Sequence, residues 1–157
     1  MATQTDLLEA LSPILNDLAE IDHHAPGALD CLTGTWPIHG EALQQIRKLV
    51  IEGIEAGWFA PRGEEGMKWG RLAKSSPETR DYSVDGVLMQ QPGPGHTHPN
   101  GEIDLCFAID GDPRFDGHPE GWVVYGPNSW HTPTVSGGTM AILYFLPNGA
   151  ISFGPRP

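Results

Sequence analysis

The sequence predicts a mainly β protein, a small antiparallel barrel or sandwich carrying an N-terminal helical segment. Three observations lead there. Apolar residues recur at helical intervals only in the first sixty positions. From about Lys68 onward, short β-rich runs alternate with Gly and Pro. Those runs follow one another without intervening helical patterns, which suits an antiparallel sheet rather than βαβ units.

The elements follow in order. TDLLEALSPILNDLAEI, from Thr5, places Leu7, Leu8, Leu11, Ile14, Leu15 and Leu18 on a helical stripe. Pro13 inside it is expected either to kink the helix or to begin a second one after a Ser12 cap. Residues 22–40, DHHAPGALDCLTGTWPIHG, carry turn formers and no clear period, so they read as a loop. GEALQQIRKLVIEGIEAGW predicts a further helix with Leu43, Ile46, Leu49, Val50 and Ile54 on one stripe and Gly57 as its stop. The strand candidates are MKWGRLAK, RDYSVDGVLMQ, EIDLCFAID, GWVVYG, TMAILYFL and a short AISFG. Residues 1–60 are thus a helical appendage packed on a barrel of residues 61–157, the two forming one folding unit.

Composition narrows the function. A chain of 157 residues with 39% hydrophobic and 18% charged residues is long enough for one domain with a real core. A formal charge of −11 argues against nucleic acid as a partner, since phosphate binding needs a basic surface. No apolar run approaches the ~18 residues of a membrane span, and MATQTDLLEA has no secretory pattern. Cys31 and Cys106 lie far apart and read as reduced thiols, so a cytoplasmic location without membrane contact is expected.

The chemistry concentrates in PGPGHTHPNGE, residues 92–102. His96 and His98 project to the same side of an extended backbone, so both imidazoles can reach one ion. The PNG turn, Pro99 to Gly101, folds the Glu102 carboxylate back toward them. His131, after the Pro-Asn-Ser turn of GWVVYGPNSWHTPTV, is the candidate fourth ligand. Three neutral imidazoles and a carboxylate suit a divalent Fe, Mn, Ni, Zn or Co ion, with geometry and availability deciding among them. In the following strand, alternation puts Glu102, Asp104, Cys106 and Ala108 on one face and Ile103, Leu105, Phe107 and Ile109 on the other. The polar face describes a pocket. The apolar face needs cover from the helices, a second sheet or another subunit, and a homodimer is expected on that ground.

HTHPNGE, a strand closed by Gly111, and then Gly121, five residues, Pro127 and His131 resemble the two cupin motifs over residues 80 to 153. The second motif departs from the pattern: Ser129 stands where Gly is usual, His131 falls one residue early, and Val135 replaces an expected Asn. Eight residues rather than the usual six separate Glu102 from Gly111. The resemblance implies a double-stranded β-helix, or jelly-roll barrel. GMKWGRLAK, GHTHPNGEIDLCFAIDG, FDGHPEGWVVYGPNSWHTPTVSGG and AILYFLPNGAISF further resemble small cupin-like proteins of the 4-hydroxylaminobenzoate lyase family. That resemblance implies conversion of 4-hydroxylaminobenzoate to 3,4-dihydroxybenzoate with water added and ammonia released.

Such a reaction needs a Lewis acid, a base and a cation for the substrate carboxylate. The metal ligands supply the first. Glu102 and Asp104 are the catalytic carboxylates, Asp104 being either the base or a hydrogen-bonding support for a ligand imidazole. Arg71 is the first candidate for the carboxylate, with Lys68 or Arg80 as alternates. Trp130, Trp69 and Tyr82 are candidates for an aromatic slot around a small aromatic acid. Cys106 is expected to be an inert thiol, and His23, His24 and His39 to lie in solvated loop. The competing functions are an Fe(II)-dependent cupin dioxygenase, which would consume O2, and a non-catalytic small-molecule-binding cupin.

Overall fold

The computed structural model describes residues 1–157. Helix α1 runs Gln4–Leu18, α2 Ala28–Thr35 and α3 Glu41–Ala56. Nine strands follow: β1 Arg62–Glu64, β2 Met67–Ala73, β3 Tyr82–Met89, β4 His96–His98, β5 Glu102–Phe115, β6 Gly121–Tyr125, β7 Ser129–His131, β8 Val135–Pro147 and β9 Ser152–Phe153. They form a six-stranded sheet in the order β1-β2-β3-β8-β5-β6 and a three-stranded sheet in the order β7-β4-β9, antiparallel throughout. This is the cupin barrel, with a helical N-terminal segment.

The helices start and stop where side chains allow. Thr3 caps α1: its hydroxyl accepts from the Asp6 amide at 3.2 Å while the Asp6 carboxylate accepts from the Thr3 amide at 2.8 Å. Pro13 does not divide this helix. Its ring forgoes one backbone hydrogen bond, but Leu7 and Leu11 before it and Ile14, Leu15 and Leu18 after it are all buried. Burial on both sides of the proline outweighs the lost bond. The stretch read as loop contains α2. Its two turns bury only Ala28 and Leu32, too few positions to reveal a period. Helix α3 ends as expected: Gly57 takes φ +88° and its amide donates to the Gly53 carbonyl at 2.9 Å.

Most of the buried apolar mass lies outside the barrel. A cluster of 22 buried residues joins the stripes of α1, α2 and α3 to Val84, Ile103, Leu105, Phe107, Ala141, Leu143 and Phe145 on the outer face of the large sheet. The smaller inner cluster holds nine, among them Val87, Cys106, Phe115, Ile142 and Tyr144. The apolar face of β5 is therefore covered by this chain's own helices, and the ground on which a homodimer was expected is gone.

Register arranges the inner face in rows. Arg71 pairs with Asp85, Asp85 with Tyr144, Tyr144 with Asp104 and Asp104 with Val123. Directly opposed residues point to the same side of an antiparallel sheet, so four ionisable side chains line up across β2, β3, β8 and β5. The next row toward the β1 end is Trp69, Val87, Ile142, Cys106 and Gly121, and it is largely apolar. Bulges after Ala108 and Gly111 bend β5 and β8 together. Glycine is required there: a Cβ on Gly138 would sit 2.0 Å from the Asp110 carbonyl oxygen.

Candidate metal centre

Two short strands of the small sheet bring the histidines together. On β4, His96 and His98 alternate with Thr97 and both face inward, 2% and 0% exposed. β7 lies antiparallel to β4 with His131 opposite His96 and Ser129 opposite His98. The turn between β4 and β5 places Gly101 at φ +88°, which favours glycine, and delivers Glu102 to the inner face of the large sheet. One ligand atom from each of His96, His98, Glu102 and His131 lies within 4.8 Å of the others. The four ligands expected from sequence are thus assembled at one point.

The protons on these rings follow from their partners. His96 Nδ1 lies 3.0 Å from the Pro94 carbonyl oxygen, which only accepts. His131 Nδ1 lies 2.6 Å from Asp116 Oδ2. His98 Nδ1 lies 2.9 Å from Ser129 Oγ, whose own proton goes to the Gly126 carbonyl at 2.7 Å. Each Nδ1 therefore donates, and each Nε2 presents a bare lone pair to the cluster. His96 Nε2 and His131 Nε2 are 3.1 Å apart, and His98 Nε2 is 3.1 Å from Glu102 Oε2. Lone pairs at that distance repel unless a cation sits among them. His98 Nε2 and both Glu102 oxygens are buried with no hydrogen-bond partner, which is costly in a pocket left without a ligand. The donor set and its orphaned atoms fit a divalent metal ion.

Local electrostatics agree. Burial lowers the His96 pKa, keeping the ring neutral and ready to ligate. Burial alone would raise Glu102, but its polar neighbours His98, Asp104 and His96 override it and hold the carboxyl below its usual range. Asp116 behaves similarly: burial opposes ionisation, while bonds from His131, Tyr125 and the Thr134 amide keep its pKa low. Tyr125 OH donates to Asp116 Oδ2 at 2.5 Å, and its ring stacks on His98 with centroids 5.4 Å apart.

A cavity of about 460 Å³ adjoins the cluster. His96 forms part of its wall, as do Arg71, Asp85, Tyr144, Trp69 and Phe153. Arg71 is held by Asp85, which accepts from Nε at 2.8 Å and from Nη2 at 3.2 Å. The Nη1 edge of the guanidinium has no such partner and remains for a ligand oxygen.

Other expectations do not reach this cavity. Lys68 alternates with Trp69 and Arg71 on β2 and borders a separate depression of about 120 Å³. Arg80 donates to Asn16 at 3.2 Å and lies beside α1. Tyr82 is on the outer face of β3 and donates to the Leu18 carbonyl at 2.9 Å, so it ties sheet to helix; burial raises its pKa to about 12. Trp130 faces away from the histidines, donates to the Gly154 carbonyl at 2.9 Å and stacks under Arg156. Asp104 is fully buried, lies outside the cavity wall and bonds to no imidazole. Burial, then the Glu102 charge, pushes its pKa well above the carboxylate range.

Cys106 is buried with its thiol pKa raised by desolvation, as an inert thiol should be. His24 and His39 are exposed. His23 is not in free solvent: its Nε2 lies 3.1 Å from Tyr82 OH, and its ring packs where a Gly101 side chain would have been. The residues missed from sequence are Asp116, Ser129, Tyr125, Asp85 and Tyr144. Strand parity carried a signal for two of them. Asp85 shares a face with Val87 and Met89, and Tyr144 is the lone hydroxyl among Met140, Ile142 and Tyr144.

Three imidazoles and a carboxylate converging inside a two-sheet antiparallel barrel define a cupin with the ligand set for one divalent metal ion. A family model described as 4-hydroxylaminobenzoate lyase matches residues 13–153. The chain belongs to that family, and so to the lyases. It is 31% identical over 169 residues to a 4-hydroxylaminobenzoate lyase of Nocardioides sp. (strain LMS-CY), covering 100% of this chain and 98% of that protein. It is 30% identical over 131 residues to a 4-hydroxylaminobenzoate lyase of Pseudomonas putida, covering 72% of this chain and 74% of that one. Among solved structures, an RmlC-like cupin protein from Ralstonia eutropha JMP134 aligns with a TM-score of 0.44 at 18% identity, over 62% of this chain and 64% of that one. No helix is long and apolar enough to cross a membrane.

Proposed function

We propose that this chain converts 4-hydroxylaminobenzoate and water to 3,4-dihydroxybenzoate and ammonia. The observation that carries the proposal is the cavity itself: one continuous space joins His96 of the ligand cluster to Arg71, between the side chains of Trp69, Val87, Tyr144 and Phe153. It offers an aromatic ring apolar walls, a carboxylate one cation and a reacting group the metal ligands. The reaction balances without oxidant or reductant, so O2 is not consumed.

His96, His98, Glu102 and His131 would hold the ion. The chemistry that a divalent cation supplies when bound there is Lewis acidity toward the oxygen leaving the N–O bond. Arg71, its Nε and Nη2 fixed on Asp85, offers Nη1 to the substrate carboxylate and so orients the ring. Trp69 and Phe153 flank the cavity and offer apolar faces to the ring. Asp116, Ser129 and the Pro94 carbonyl keep each ligand imidazole in the tautomer that ligates. The cytoplasm, where the free thiols of Cys31 and Cys106 persist, is the compartment that suits the enzyme.

The test is anaerobic turnover of 4-hydroxylaminobenzoate by protein reconstituted with each candidate ion. The expected result is ammonia and 3,4-dihydroxybenzoate in equal amounts. O2 uptake with a catechol-like substrate and no ammonia would instead support a dioxygenase.

A further inference from the structure

The hydroxyl of Tyr144 is unusual in its surroundings. Tyr144 is 6% exposed, borders the cavity, and its OH has one partner, Met89 Sδ at 3.8 Å. A thioether is a weak acceptor, and a buried tyrosine hydroxyl ordinarily finds a stronger one. The contrast with the other tyrosines is internal to the molecule: Tyr82 OH meets a carbonyl at 2.9 Å and Tyr125 OH a carboxylate at 2.5 Å.

The charged groups of the cavity wall already have partners, apart from the Nη1 edge of Arg71. Arg71 and Asp85 bond to each other through two contacts. His96 uses Nδ1 on Pro94 and turns Nε2 to the ligand cluster. Tyr144 adds a neutral hydroxyl to this wall and, unlike Trp69, is buried. Its position suits the task, because β8 separates β3 from β5 and two strand spacings, about 10 Å, separate its backbone from that of Arg71. A para-substituted benzoate spans a comparable length, with its carboxylate on the cation and its other end near the tyrosine.

We propose that Tyr144 is a catalytic residue whose hydroxyl donates a hydrogen bond to the oxygen at the reacting end of the substrate: the hydroxylamino oxygen before the reaction and a ring hydroxyl after it. The inference rests on the lyase reading above. Burial raises the phenol pKa well above its ordinary value, so the group stays a donor throughout the working pH range.

Tyr144→Phe removes one oxygen and keeps the ring. The variant should retain metal at wild-type stoichiometry and lose roughly tenfold or more in kcat/KM for ammonia release, the scale of one buried hydrogen bond made in the transition state. Calorimetric titration supplies a second measurement. Affinity for 3,4-dihydroxybenzoate should fall about tenfold, while affinity for benzoate, which has the carboxylate but no ring oxygen, should hold. Unchanged kcat/KM, an equal loss for both ligands, or loss of the metal would each overturn the proposal. A wild-type enzyme that releases no ammonia overturns the lyase reading alone. The paired titrations then decide Tyr144: a selective loss for the dihydroxy acid upholds its contact with a ring oxygen, and no binding of either ligand by the wild type ends both ideas.

Discussion

Replacing Asp116 by Asn preserves the shape of the side chain and exchanges one acceptor oxygen for a donor nitrogen. Asp116 Oδ2 accepts from His131 Nδ1 at 2.6 Å and from Tyr125 OH at 2.5 Å, and Oδ1 accepts from the Thr134 amide at 2.9 Å. An amide has one oxygen for these two sides. If that oxygen stays on Thr134, the new NH2 group faces His131 Nδ1. The ring must then carry its proton on Nε2, the atom aimed at His96 and Glu102. A lone pair needed for the metal becomes an N–H donor. If the amide turns over, His131 keeps its tautomer but the Thr134 amide loses its acceptor, and the loop before β8 loosens. Losing the group that orients a ligand histidine typically weakens metal binding by roughly 10- to 100-fold, which is about 1.4–2.8 kcal/mol. The assay is competition for Co(II) against a chelator, with the cobalt absorption spectrum reporting coordination geometry. Circular dichroism before titration confirms that the variant is folded. Affinity within about twofold of wild type, with an unaltered spectrum and a melting temperature equal to wild type, which excludes the turned-over amide, would refute the tautomer argument on which the metal assignment stands.

The other predictions concern the turn, the buried histidine and the guanidinium. Gly101→Ala should weaken metal retention and lower the melting temperature, because φ is +88° and the new methyl would lie 2.5 Å from His23 Nδ1 and 2.8 Å from the Tyr125 carbonyl oxygen; a variant with unchanged melting and metal content refutes this. His23, kept neutral by burial, has a folded pKa below the ordinary imidazole value of 6.5. The unfolded chain therefore binds the extra proton first, and the contribution of His23 to stability is present above that pH and lost as pH falls through the folded value. The melting-temperature gap between wild type and His23→Gln should narrow from about pH 7.5 to about pH 5.5, and a constant gap would count against the assignment. Arg71→Gln should raise KM roughly 10- to 100-fold through loss of a charge-assisted bond, with metal content unchanged; steady-state kinetics paired with elemental analysis checks both.

The sequence carried the ligand set because β4 and the PNG turn are local. His96, His98 and Glu102 are fixed by strand parity and one glycine, and His131 needed only the pairing of β7 with β4. The helices at both ends of the N-terminal segment were legible for the same reason, since each buries a full stripe. What escaped was non-local. Asp116 reaches His131 from the turn after β5, and no spacing announces a hydrogen bond between a turn and a strand residue fifteen positions apart. Trp130 and Tyr82 were misplaced because aromatic character does not reveal which face of a strand is the inside. Asp104 was placed correctly by alternation, but its protonation depends on burial beside Glu102, which only packing fixes. Ser129 is instructive in a different way. It departs from the usual glycine of the motif, and its hydroxyl turns out to hold His98 Nδ1.

The large sheet works as a partition between two kinds of selection. On its outer side, Ile103, Leu105, Phe107, Leu143 and Phe145 press against the helices, and trimming any of them opens a void in the main core. On its inner side, the residues that touch the cavity belong to the smaller cluster or to none. Adaptation to a different ligand can therefore proceed at Trp69, Asp85, Val87 and Tyr144 while the outer layer stays intact. A directed-evolution library confined to those inward positions would sample substrate range from variants that mostly still fold.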